Sequence, residues 1–98
     1  MIMKVLASNE SASKHECSFS KVVEFENGKR FKITQDTGNC YSYTFVYVML
    51  PDYSWAKVAD GFDIGANGIN YIISEELKRE AMKVIYDKAI AYIKAVFL

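Results

Sequence analysis

His15, Cys17 and Cys40 are the residues whose types come nearest to a metal site. A structural zinc centre takes four such ligands, commonly in closely spaced cysteine pairs. The His-x-Cys spacing is not such a pair, and the chain has no other histidine or cysteine, so no metal is expected. His15 and Cys17 could also serve as base and nucleophile, but the sequence offers neither a third group to orient the base nor an oxyanion donor. Asp60, Asp63 and Asn67 lie in a glycine-rich stretch. Their spacing lacks the alternating ligands, central glycine and terminal glutamate of a calcium loop. Gly65-Ala66-Asn67-Gly68 has the outline of a G-x-x-G clamp, which belongs between helices; its neighbours here read as strands. Turn chemistry accounts for both. No motif pairs carboxylates for acid–base work, so the chain reads as non-catalytic and without a cofactor.

Two sets of residues suit binding instead. Lys21, Lys29, Arg30 and Lys32 cluster around Phe31, and basic and aromatic residues on a sheet can hold single-stranded nucleic acid by phosphate contact and stacking. Tyr41, Tyr43 and Tyr47 could extend such a platform, although aromatic residues on one strand face more often form core under a helix. The formal net charge is zero, without the basic excess that drives phosphate binding. The second set, Asp52, Tyr53, Trp55, Asp60 and Asp63, is acidic with aromatic anchors. It would suit a basic protein surface, such as the nucleic-acid groove of an enzyme. A Tyr-lined sheet could also floor a small-ligand or enzyme pocket.

The elements that must position these residues can be read from periodicity. The run Tyr41–Leu50 alternates, with Tyr41, Tyr43, Phe45, Tyr47 and Met49 on one face and Ser42, Thr44, Val46, Val48 and Leu50 on the other. It reads as a central strand whose aromatic face meets a helix. Met1–Ala7 reads as a short strand, and the polar, Ser-rich Ser8–Ser18 as a long loop. Phe19–Glu26 and Lys29–Gln35 flank Asn27-Gly28, a hairpin signal. A two-residue loop would put the apolar residues of the two strands on opposite faces. A three-residue loop with Gly28 left-handed pairs Val23 with Phe31, Lys21 with Ile33 and Glu24 with Arg30, gathering Val23, Phe25, Phe31 and Ile33 on one face. Pro51-Asp52 ends the Tyr41–Leu50 strand, and Tyr53–Ala59 either returns as a further strand, the reading favoured here, or forms a short helix ended by Gly61. Asp60–Asn70 is turn-rich, and Tyr71–Ile73 adds a brief strand.

Ser74 suits a helix N-cap, with Glu75 and Glu76 complementing the dipole in the first turn. The helix should run over about 75–97. Leu77, Ala81, Val84, Ile85, Tyr92 and Ala95 form one apolar stripe, expected against the aromatic strand face. Tyr86, Ile90, Ile93 and Phe97 form a second. One stripe suffices to face a core, so the second is expected to be an exposed interface, most simply for a homodimer, the alternative being that the N-terminal strand or long loop folds over it.

The expected architecture is α+β: over residues 1–98, one domain, strand-rich through 73, with a mainly antiparallel meander of four to six strands and one long C-terminal helix on one face. Met1–Leu6 is too short and too charged for a signal peptide, no apolar run approaches a membrane span, and two cysteines make no disulfide framework. A cytoplasmic protein is expected. The leading functional reading is a small accessory or inhibitor protein, of the kind carried by phages and mobile elements, that occupies a partner protein's surface as a homodimer. A nucleic-acid module and a ligand-binding sheet are the alternatives.

Overall fold

The computed structural model describes residues 2–13, 16–37, 42–60 and 75–98. Five strands, β1 (Met3–Ala12), β2 (Cys17–Phe25), β3 (Arg30–Thr37), β4 (Ser42–Met49) and β5 (Trp55–Asp60), form one antiparallel sheet in the order β1-β2-β3-β4-β5. The helix α1 spans Glu75–Phe97. The architecture is the α+β meander that the periodicity predicts. His15, Cys40, Tyr41, Asp63, the Gly65–Gly68 stretch, Tyr71–Ile73 and Ser74 lie outside the described residues.

The Asn27-Gly28 hairpin has the three-residue loop chosen on hydrophobic grounds. Val23 pairs with Phe31, Lys21 with Ile33 and Glu24 with Arg30. The Phe25 amide donates to the Lys29 carbonyl and the Gly28 amide to the Phe25 carbonyl, with Gly28 at φ 84°. The β4–β5 connection repeats this geometry. The Leu50 amide donates to the Ser54 carbonyl and the Tyr53 amide to the Leu50 carbonyl. Here the left-handed position is held by Tyr53, at φ 66°. The Asp52 carboxylate accepts from the Ser54 amide at 3.0 Å and from its hydroxyl at 2.6 Å. This is the side-chain turn that Asp favours.

Ser8–Ser18 is not a long loop. β1 continues through Ala12 and pairs with β2 out to Cys17, with one register shift between Val5 and Ala7. An edge strand exposed on both faces accepts Ser, Asn and Glu, because its ladder bonds to β2 satisfy the backbone whatever the side chains are.

Residues directly opposite in a ladder share a face, and that rule carries the core across the sheet. Val23, Phe31 and Val48 are successive partners, as are Ile33 and Val46. The helix covers this side with Met82, Ile85, Ala89, Ile90 and Ile93. Arg79 of α1 bridges Glu10 of β1 at 3.4 Å and Glu75 at 3.3 Å.

The aromatic face of β4 therefore does not meet the helix, contrary to the sequence expectation. Thr44, Val46 and Val48 point inward, and Tyr43, Phe45, Tyr47 and Met49 lie on the outer face. The two helix stripes are reassigned as well. The buried line, Lys78, Met82, Ile85, Ala89, Ile90 and Ile93, straddles them, taking Ile85 from the first stripe and Ile90 and Ile93 from the second. Leu77 and Val84 of the first stripe are 53% and 49% exposed.

Candidate binding face of the sheet

The outer face is built by alternation along β2 to β5. Its centre is the β4 row: Tyr43 and Phe45 have parallel rings with centroids 6.1 Å apart, and Phe45 and Tyr47 follow at 6.3 Å. Trp55 pairs with Met49, and Lys57 with Tyr47, so β5 extends the aromatic surface toward its edge. On the other side Lys32 of β3 pairs with Tyr47. Its Nζ lies 4.6 Å from the Tyr47 ring centroid and 5.1 Å from that of Trp55. The Lys57 Nζ lies 4.9 Å from the Phe45 ring. The β4–β5 turn adds Tyr53, 80% exposed, at one end of this face, and Tyr43 is 54% exposed at the other.

Charges on this face are mixed. Arg30 Nε donates to Glu24 Oε2 at 2.6 Å, and Lys57 bridges Asp60 at 3.2 Å. Asp36 pairs with Tyr43 across the ladder and is exposed. Lys32 makes no ion pair among the described residues.

The predicted sites fare unequally. The basic hairpin residues do not converge. Arg30 and Lys32 share the outer face, Lys29 sits in the turn, and Lys21 lies on the helix side with its Nζ 4.5 Å from the Tyr86 ring. In the acidic set, Trp55 and Tyr53 flank the aromatic row. Asp52 is held by Ser54, which lowers its pKa through hydrogen bonds from the hydroxyl and the amide, and Asp60 is held by Lys57. The stripe Tyr86, Ile90, Ile93 and Phe97 is not a free surface. Ile90 and Ile93 are buried, Phe97 packs on Phe31 with centroids 5.3 Å apart, and Tyr86 meets Phe19 edge-on at 6.2 Å. These side chains complete the core beneath the helix, which removes the reason for assigning them to self-association.

Sequence reasoning missed a polar cluster inside the core. Gln35, Thr37, Thr44 and Lys78 are all buried around Cys17. Gln35 donates to Thr37. Burial raises the Cys17 thiol above its ordinary pKa, partly offset by a hydrogen bond with Thr37 and by the nearby Lys78 charge. Only the inward orientation of Thr44 and Gln35, which follows from the β3–β4 register, could have revealed it. A groove of about 430 Å³ between α1 and strands β1 and β2 is lined by Phe19, Met82 and Tyr86. Among the described residues no group of three or more His, Cys, Asp or Glu side chains could hold a metal ion, and no helix is long and apolar enough to cross a membrane.

No protein-family model matches the chain, and no curated protein or solved structure is significantly similar to it.

Proposed function

We propose that this chain is a non-catalytic protein-binding module, an accessory or inhibitor protein that works by laying the outer face of its sheet on a partner protein. The observation that carries the reading is the row Tyr43, Phe45 and Tyr47, extended by Trp55, on a sheet face that the helix leaves uncovered. An apolar centre of Tyr and Trp within a rim of mixed charge is the anatomy of a protein interface, and such residues dominate binding energy when buried there. Tyr53 adds a second support. A non-glycine residue in the left-handed region costs roughly 1 kcal/mol or more and tends to mark functional surfaces. An exposed tyrosine at that position has little stabilising burial to offset the cost.

The nucleic-acid alternative draws on the same rings but lacks the charge. The lysines of the first hairpin face different sides, and Glu24, Asp36 and Asp60 share the outer face with Arg30, Lys32 and Lys57. A strand of phosphates would meet three carboxylates for these three cations, and binding driven by counterion release needs a clear positive excess.

The test is affinity capture from an extract of the native host. It compares wild type with Tyr43→Ser/Tyr47→Ser and with Leu77→Ser/Val84→Ser on the exposed side of the helix. A protein retained by wild type and by the helix variant, and lost from the outer-face variant, is the expected result. Equal retention by all three removes the outer face from the account.

A further inference from the structure

On the reading that the outer face is the recognition surface, we infer that its occupant is an acidic, extended protein segment in which carboxylates alternate with aromatic or apolar side chains. Among the described residues, the ionised groups that lie over the rings of the row are ammoniums, Lys32 against Tyr47 and Trp55 and Lys57 against Phe45. Two carboxylates stand beside the row across the ladder, Asp60 opposite Phe45 and Asp36 opposite Tyr43. Glu24 is satisfied by Arg30 at one margin, and Asp60 by Lys57 at the other. Of Arg30, Lys32 and Lys57, Lys32 is the one without an acidic partner among the described residues, and it stands where the aromatic surface is widest. The two rings hold its ammonium in place and strip part of its hydration, while leaving donors for a carboxylate. A partner anion arriving there meets a preorganised charge, which lowers the cost of ordering a long side chain on binding.

The periodicity also fits. Rings at 6.1 and 6.3 Å intervals along β4 match the spacing of alternate side chains on an extended peptide, about 6.6 Å. A segment running along β4 would set one apolar side chain against each gap between rings. Asp36 lies four residues from Lys32 on the same strand face, about 13 Å away. The face therefore changes sign along its length: it attracts an anion at the Tyr47 and Trp55 end and repels one near Tyr43. That polarity disfavours a uniformly charged phosphate backbone and favours a peptide with its carboxylates toward the Tyr47 end.

The experiment is an amide-shift NMR titration of the full chain with three probes: a hexapeptide of alternating glutamate and tyrosine, its lysine–tyrosine counterpart, and a short oligothymidylate. The expected result is that the acidic peptide moves Lys32, Tyr47, Trp55 and Lys57, and does so more tightly than either other probe. Lys32→Met keeps the aliphatic stem over the rings and removes the charge, and it should weaken the acidic peptide about three- to fivefold. Lys32→Glu should exchange the preference of the two peptides. If both peptides shift the outer face with equal affinity, the surface stands and its acidic preference falls. Tighter binding of the oligothymidylate overturns the inference in favour of nucleic acid. An outer face that none of the probes moves also refutes it, and shifts confined to the groove between α1 and strands β1 and β2 would remove the surface as well.

Discussion

The two three-residue hairpin loops invite a matched pair of substitutions, Tyr53→Gly and Gly28→Ala. Both positions are left-handed, at φ 66° and 84°, and both loops make the same pair of backbone hydrogen bonds. A residue with a Cβ is strained there by roughly 1–2 kcal/mol. Glycine relieves that strain but gives the unfolded chain extra freedom, worth about 0.4–1 kcal/mol in the opposite direction. The Tyr53 side chain is 80% exposed, so removing it forfeits little burial. The net for Tyr53→Gly is a gain of about 0.5–1 kcal/mol, or about 2–8 °C in Tm for a domain of this size. Gly28→Ala should lose a similar amount. A Cβ at Gly28 meets nothing within 4 Å, so its cost is conformational and not steric. Thermal and urea melts followed by circular dichroism measure both. A Tyr53→Gly variant that melts below wild type would refute the reasoning, because the ring would then contribute more than its backbone costs. If the proposed function holds, the same variant binds its partner less well while being more stable, since the tyrosine would be retained for recognition at the expense of the turn.

Two further outcomes test the assignment of faces and the polar cluster. Ile93→Ala, in the fully buried line of α1, should cost about 2–5 kcal/mol, whereas Tyr43→Ala on the outer face should cost under about 1 kcal/mol; urea midpoints in the reverse order would mean the sheet faces are exchanged. At alkaline pH the protein should lose stability in two stages. Burial raises the Cys17 thiol above its ordinary 9.0 and the Tyr86 hydroxyl above its ordinary 10.0, the latter with help from the Asp87 charge. The unfolded chain therefore gives up these protons first, so the stabilisation is complete below pH 9 and drains away as pH rises through the folded values. Cys17→Ala should flatten the first part of that fall in urea melts made between pH 8 and 11, and an unchanged slope would show that the thiol is not differentially protonated.

How much of this was legible in the sequence depended on the range of the interactions. The first hairpin was readable in register and loop length, because Asn27-Gly28 and the apolar positions Val23, Phe25, Phe31 and Ile33 admit one self-consistent pairing. The length of α1 followed from local signals, first-turn glutamates and a long amphipathic period, whereas Tyr53–Ala59 was open between strand and helix until pairing with β4 made Trp55–Asp60 a strand. The full length of β1 is not legible locally, because Ser and Asn compete for backbone bonds and the bonds that β2 supplies are invisible to local pattern.

The faces were decided only in the fold. β4 alternates aromatic with β-branched residues, and hydrophobicity alone favours burying the rings. Which side it buries is set by the β3–β4 pairing register, which brings Val46 and Val48 into line with Ile33 and Phe31. The same constraint carries Thr44 and Gln35 inside with Cys17 and turns Tyr43, Phe45 and Tyr47 outward. The helix shows the same division. Its apolar residues are fixed by sequence, but their arc is wide enough to hold two stripes, and it was docking on β1, β2 and β3 that put the line straddling them at the centre of the core. The sequence by itself determined the elements and the residue types available for recognition. The tertiary structure decided which of them face solvent, because one strand's parity, fixed by its neighbour's core residues, propagates across the sheet.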